Sequence, residues 1–147
     1  MQTQLAVVVE RKGSTVHAVP PSATVLDAVR KMNTERIGAV LVREDEQVEG
    51  IFTERDVLTR VIEPGLDPSA IPVGEVMTSP LVTVGPRTTV EEAMAVVTDK
   101  RCRHLPVMDG ERLVGLVSIG DLTRWVTRHQ AWRIEDLVRY ITRVYPV

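Results

Sequence analysis

Two aspartates, Asp56 and Asp121, end matching runs: Gly50-Ile51-Phe52-Thr53-Glu54-Arg55-Asp56 and Gly115-Leu116-Val117-Ser118-Ile119-Gly120-Asp121. Both read Gly-apolar-x-Thr/Ser-x-x-Asp. An ionised aspartate offers acceptor oxygens and no donor. A hydroxyl three residues earlier, at a strand-to-helix junction, can reach a bound phosphate or the free amides of the helix start, which is itself an anion site. The plain alternative is that Thr53-x-x-Asp56 and Ser118-x-x-Asp121 are capping boxes with an acid in place of the usual glutamate. A cap alone does not require glycine three residues before the hydroxyl in both runs. A ligand approaching the strand closely favours it.

Other reactive types are weaker candidates. Cys102 and His104 would share one face of an extended strand, where an imidazole could activate a thiol. No third orienting group or oxyanion-forming glycine turn accompanies them, so no catalytic residue is assigned and the chain is read as a non-enzyme. Glu91 and Glu92 occupy successive helical positions and do not converge. The three histidines His17, His104 and His129 are scattered and the single cysteine cannot build a cage, so no metal site is expected.

The elements that position Asp56 and Asp121 are duplicated at a constant offset of 65 positions. Val19 aligns with Val84, Pro21 with Pro86, Thr24 with Thr89, Ala28 with Ala93, Arg36 with Arg101, Val42 with Val107 and Gly50 with Gly115. Such a repeat demands one supersecondary unit built twice. In each copy an amphipathic helix is predicted, with Val25, Ala28, Val29 and Met32 on one face and Val90, Ala93, Met94 and Val97 on the other copy's. Both helices open on a capping box, Thr24 with Asp27 and Thr89 with Glu92.

Two short strands follow, Ala39 to Val42 and Val48 to Phe52, or Leu105 to Val107 and Leu113 to Val117, joined by turn-like connections. A second helix carries Val57, Leu58, Val61 and Ile62, or Leu122, Trp125 and Val126. With a short strand near Val16–Val19 or Leu81–Val84, each copy reads β-α-β-β-α and the fold class is α/β. The expected layout is a flanking segment at 1–15, repeats at 16–62 and 81–127, and a linker at 63–80 in which Val73 to Thr78 could form a short helix. A C-terminal helical extension at 128–147 has Ile134, Leu137, Val138 and Ile141 on one face, after Trp132.

The 147 residues are 44% hydrophobic and 26% charged, as in a compact globular domain rather than a disordered chain. A net charge of −2 argues against a nucleic-acid partner, which calls for concentrated positive charge. No apolar run approaches the roughly 20 residues of a membrane span. One cysteine and no signal-like start favour a reducing, cytoplasmic setting.

The duplicated β-α-β-β-α pattern, its Gly-apolar-x-Thr/Ser-x-x-Asp endings, the run Val76-Met77-Thr78 and the run Arg103-His104-Leu105-Pro106-Val107 resemble the tandem cystathionine-β-synthase (CBS) domain pair, over about residues 16–127. The small free-standing prokaryotic type is the nearest comparison. The resemblance implies two copies about a pseudo-twofold axis and clefts between them for an adenosine-containing ligand: AMP first, with ADP, ATP, NAD or S-adenosylmethionine as alternatives. It also implies a homodimer and a regulated protein that responds to occupancy.

Carried over by position, the resemblance gives Asp56 and Asp121 the ribose hydroxyls, with Thr53 and Ser118 beside them. It puts Arg55, Arg103 and His104 near phosphate, and Thr24 and Thr89 near the adenine edge. Val19, Ile37, Val84 and Cys102 would be apolar purine walls whose default role is core. Gly38 and Ala39 stand where the second copy has Arg103 and His104, and Gly120 stands where the first has Arg55, so the two sites should differ in ligand. Arginines near a helix start are ordinarily solvated charges, and a lone histidine before an apolar strand is ordinarily structural. The competing function is a protein-interaction or homodimerisation module without a nucleotide, in which the C-terminal stripe docks a partner or caps the chain's own core.

Overall fold

The computed structural model describes residues 2–13, 15–129, 138–141 and 143. They fall into two units, Thr15–Leu81 and the combination of Met1–Ser14 with Val82–Val147. The first unit holds copy one and the second holds copy two.

In the first unit, β1 (Ala18–Val19) leads to α2 (Val25–Glu35), then β2 (Ala39–Glu44) and β3 (Gln47–Thr53), with α1 reserved for the helix Leu5–Lys12 of the other unit. The sheet order is β1-β2-β3, with β1 parallel and β3 antiparallel to β2. Val25, Ala28 and Met32 bury the predicted face of α2 against Val40, Val42 and Phe52. Fully burying each large apolar side chain stabilises the fold by about 1.5–3 kcal/mol.

Thr24 caps α2 with Asp27 in the reciprocal geometry expected, and Arg36 ends the helix in a left-handed conformation at φ 55°. Arg101 does the same at φ 53° after α4 (Val90–Lys100), which Thr89 and Glu92 cap. Ile37 N–H then reaches the Met32 carbonyl at 3.0 Å and Cys102 N–H the Val97 carbonyl at 3.2 Å, closing each helix in the six-residue manner usually served by glycine. The aligned pair Arg36/Arg101 therefore marks helix ends.

In the second unit, β4 (His104–Asp109) and β5 (Arg112–Ser118) form a two-stranded antiparallel sheet, followed by α5 (Ile119–Arg128). The strand expected at Leu81–Val84 reduces to one parallel bridge, Val84 with Val107. Val84 still bonds both ways, to Pro106 O at 3.1 Å and from Met108 N at 2.8 Å, but the pairing does not propagate. Leu5, Val8 and Val9 of α1 enter this unit's core with Val90, Leu105, Val117, Leu122 and Trp125.

The segment before each copy is a structural repeat of its own. Leu5 N–H meets Thr88 O and Val90 N–H meets Thr3 O; Val73 N–H meets Ala23 O and Val25 N–H meets Ile71 O. The segment before copy one thus completes the unit of copy two, and the segment before copy two completes the unit of copy one. In the latter, the short helix expected at Val73–Thr78 is a 3₁₀ turn of three residues, Val73–Glu75.

Two further sequence expectations need correction. The second helix of copy one is three α residues, α3 (Glu54–Asp56), continued by a π-helical turn, Val57–Ile62. Its wider i→i+5 bonding changes which residues face inward. Of the apolar residues that this helix carries, Val61 is buried, whereas Leu58 and Ile62 are 63% and 56% exposed. Among the described C-terminal residues, Val138 and Ile141 are exposed and Tyr140 packs on the core of the second unit. Trp132, Ile134 and Leu137 lie outside the described residues.

Candidate functional site

The strand-to-helix turns carry both aspartates. In copy one, Thr53 ends β3 and caps α3: its Oγ1 accepts from Asp56 N–H at 3.3 Å, and Asp56 Oδ2 accepts from Thr53 N–H at 3.0 Å. Thr78 Oγ1 donates across to the same carboxylate, 3.1 Å from Oδ1 and 3.2 Å from Oδ2, and Arg60 Nε stands 3.5 Å from Oδ1. Asp56 is only 6% exposed, the single buried charged residue among those described. A buried charge is tolerable only when paired and hydrogen-bonded, and these groups meet that need.

Copy two builds the same box with different neighbours. Asp121 Oδ2 accepts from Ser118 N–H at 2.8 Å and Ser118 Oγ from Asp121 N–H at 3.1 Å. Lys12, the last residue of α1, sets Nζ 2.5 Å from Asp121 Oδ2 and 2.6 Å from Leu116 O, and Arg124 Nη1 is 3.3 Å from Oδ1. Burial pushes the Asp121 carboxyl up, but the hydrogen bonds from Lys12 and Ser118 and the lysine's charge outweigh it, and the group titrates below the usual carboxylate value.

Arg103 and His104 adjoin this turn. His104 is opposite Ser118 in the β4–β5 register, and Arg103 O accepts Ile119 N–H at 2.9 Å. The first unit repeats the arrangement with Ala39 opposite Thr53 and Gly38 O accepting Glu54 N–H at 3.1 Å. Each unit thus brings together a hydroxyl, a carboxylate and two positions at which the copies differ, Gly38/Arg103 and Ala39/His104. Arg55 is exposed, on α3 next to Asp56.

Other expected residues have structural partners. Thr24 and Thr89 cap α2 and α4 and bridge to Pro72 and Gln4 of the opening segments. Val19 and Ile37 belong to the core of the first unit, and Val84 and Cys102 to that of the second. Cys102 precedes β4 instead of sharing a strand face with His104, and burial raises its thiol pKa, against a nucleophilic thiolate. Among the described residues no group of three or more His, Cys, Asp or Glu is arranged to hold a metal. No helix there is long and apolar enough to cross a membrane.

The duplicated glycines have a cause other than ligand approach. A Cβ on Gly50 would stand 2.6 Å from Met77 Sδ and 2.8 Å from Thr78 O, and one on Gly115 would stand 2.7 Å from Val9 Cγ1. Each glycine admits the opening segment, not a ligand. Sequence reasoning missed Lys12, Arg60, Thr78 and Arg124 as carboxylate partners. Only Thr78 carried a signal, in the run Val76-Met77-Thr78.

A CBS domain model matches residues 5–63 and 73–128. The chain is 39% identical over 127 residues to the mitochondrial CBS domain-containing protein CBSX3 of Arabidopsis thaliana, covering 83% of this chain and 62% of that protein, so it spans less than two thirds of that relative. It is 36% identical over 107 residues to CBS domain-containing protein YhcV of Bacillus subtilis, covering 73% and 76%. The solved structure of a putative signal-transduction protein with CBS domains from Burkholderia ambifaria superposes with a TM-score of 0.83 at 38% identity, covering 90% of this chain and 99% of that one. Both matched segments begin with an opening segment, Leu5 or Val73, and end with the second helix that carries Asp56 or Asp121. The chain belongs to the CBS-domain family and carries two CBS repeats, the pairing that serves as a regulatory module.

Proposed function

We propose that the protein senses an adenosine-containing nucleotide, AMP first, with ADP, ATP, NAD and S-adenosylmethionine as alternatives, and signals occupancy to a partner protein. The single observation that carries this reading is the cluster at the second strand-to-helix turn. Asp121 offers acceptors suited to ribose hydroxyls, His104 lies opposite Ser118 in the strand register, and Arg103 is joined to the turn through its carbonyl and Ile119 N–H. A carboxylate, a hydroxyl and two potential donors for phosphate are the groups a nucleoside phosphate requires. The first turn lacks both donors at Gly38 and Ala39, so copy two is the better phosphate acceptor. In this reading the ligand competes with Lys12 for Asp121, and occupancy shifts the populations of two conformations by the difference in ligand affinity between them.

A thermal-shift panel of these five ligands and adenosine tests the reading, since a ligand that binds only the folded chain raises its melting temperature by mass action. At least one nucleotide should stabilise the chain at millimolar concentration; stabilisation by none would reject the sensor. A second reading, a cytoplasmic homodimer that only presents a surface, draws on exposed Leu58, Ile62 and Leu66 in the first unit. Leu58→Asp would then halve the solution mass without affecting nucleotide response.

A further inference from the structure

We propose that the groove between α1 and α5 in the second unit is a binding site for a multiply charged phosphate. The groove holds about 250 Å³ and gathers four cations, Arg11, Lys12, Arg124 and Arg128, against one carboxylate, Asp121. This concentration occurs in a chain whose net charge is −2. Asp121 is already bonded to Lys12 and Arg124, so Arg11 and Arg128 face the groove without a carboxylate partner among the described residues. Guanidinium groups present forks of donors that match phosphate oxygens, and several of them call for several negative charges.

A second observation is independent of charge. Trp125 also lines the groove and is 8% exposed, and its indole Nε1 is buried with no acceptor among the described residues. An indole nitrogen can only donate, and a buried donor left unpaired is costly. The Arg11 guanidinium lies 5.5 Å from the Trp125 ring centroid, and His129 stacks on the ring at 3.8 Å and 14°. The side chains of the groove are therefore mostly donors, its one carboxylate is already engaged, and an anion, which only accepts, complements them. The groove shares Lys12 and Asp121 with the proposed nucleotide site but rests on Arg11, Arg128 and Trp125, which the nucleotide reading does not use.

The probe is inorganic tripolyphosphate, titrated into the full chain carrying Trp132→Phe so that Trp125 is the only indole, with ATP and adenosine in parallel. The expected result is a saturable fluorescence change with tripolyphosphate whose affinity falls about tenfold or more in Arg11→Ala and in Arg128→Ala, one lost charge-assisted contact each. Arg87→Ala, an exposed cation outside the groove, should leave it within about twofold, as expected where only long-range screening acts. Circular dichroism melts confirm that each variant is folded. Competition by ATP identifies a nucleotide's phosphate end as an occupant; ATP without competition leaves free polyphosphate, and both agree with the site. No saturable response to tripolyphosphate, or equal losses in Arg87→Ala, overturns it. Nucleotide binding that survives Arg11→Ala and Arg128→Ala alongside such a failure leaves the sensor reading standing.

Discussion

Lys12 Nζ lies 2.5 Å from Asp121 Oδ2, so the last residue of α1 neutralises the carboxylate that closes the second copy's strand-to-helix turn. At the aligned position in the first copy, Asp56 is held by the Thr78 hydroxyl and by Arg60. Identical sequence positions thus have unlike counter-groups, supplied in part by the segments that precede each copy.

The Lys12–Asp121 pair makes stability depend on acid. Because the folded carboxyl titrates below its ordinary value, the contribution is fully present above about pH 4 and is lost as pH falls through the lowered value. Asp121→Asn should flatten the decline in melting temperature below about pH 4. Lys12→Met should begin that decline at higher pH and lower the neutral-pH melting temperature by about 2–4 °C, the scale of a 1 kcal/mol loss. Calorimetric scans from pH 7 to 2.5 check both, and superimposable curves for the three proteins would contradict the pairing.

The glycines offer a steric test. Gly115→Ala meets a side chain, Val9 Cγ1, whereas Gly50→Ala meets the Thr78 carbonyl, which accepts Ile51 N–H at 3.0 Å. Both substitutions should destabilise by about 1–3 kcal/mol. Val9→Ala should recover part of the Gly115→Ala loss, with a coupling of about 0.5 kcal/mol or more in a double-mutant cycle. Met77→Ala should not comparably rescue Gly50→Ala, because the backbone oxygen remains. Urea midpoints on the six variants decide it.

Thr78→Val removes a hydroxyl that donates to buried Asp56 while keeping the side chain's shape. It should cost about 1–3 kcal/mol, the penalty for an under-satisfied buried acceptor. Asp56→Asn in the same background should cost less than it does alone, and additivity of the two would show that they are not coupled.

What was legible in the sequence had a strong local cause. The four capping boxes at Thr24, Thr53, Thr89 and Ser118 all form, since each needs only a hydroxyl and an acid three residues on. The apolar faces of α2 and α4 follow from helical spacing. Obscure features depend on distant chain: Lys12 is 109 positions from Asp121, and no local period connects them. Gly50 and Gly115 are visible as a shared requirement, but a glycine signals close approach without naming what approaches, here Met77 and Val9. The π turn at Val57–Ile62 was hidden because an apolar pattern does not distinguish i→i+4 from i→i+5 bonding. The ribose role of the aspartates came from resemblance, and the capping geometry that the structure gives them is compatible with it.

Thr24→Ala and Thr89→Ala separate capping from adenine contact. Each should cost about 1 kcal/mol of stability through loss of its cap. A nucleotide affinity unchanged within about twofold would mark these residues as caps alone, and a fall of about tenfold would add a ligand contact.

The most direct measurement of the central claim is isothermal titration of AMP, ADP, ATP, NAD and S-adenosylmethionine into the intact chain, Asp56→Asn and Asp121→Asn. Asparagine keeps a side-chain acceptor for the Ser118 or Thr53 amide while removing the charge. The account predicts saturable binding of at least one ligand, weakened about tenfold or more by Asp121→Asn. Absence of binding by every ligand, or affinity unchanged in both variants, would contradict it.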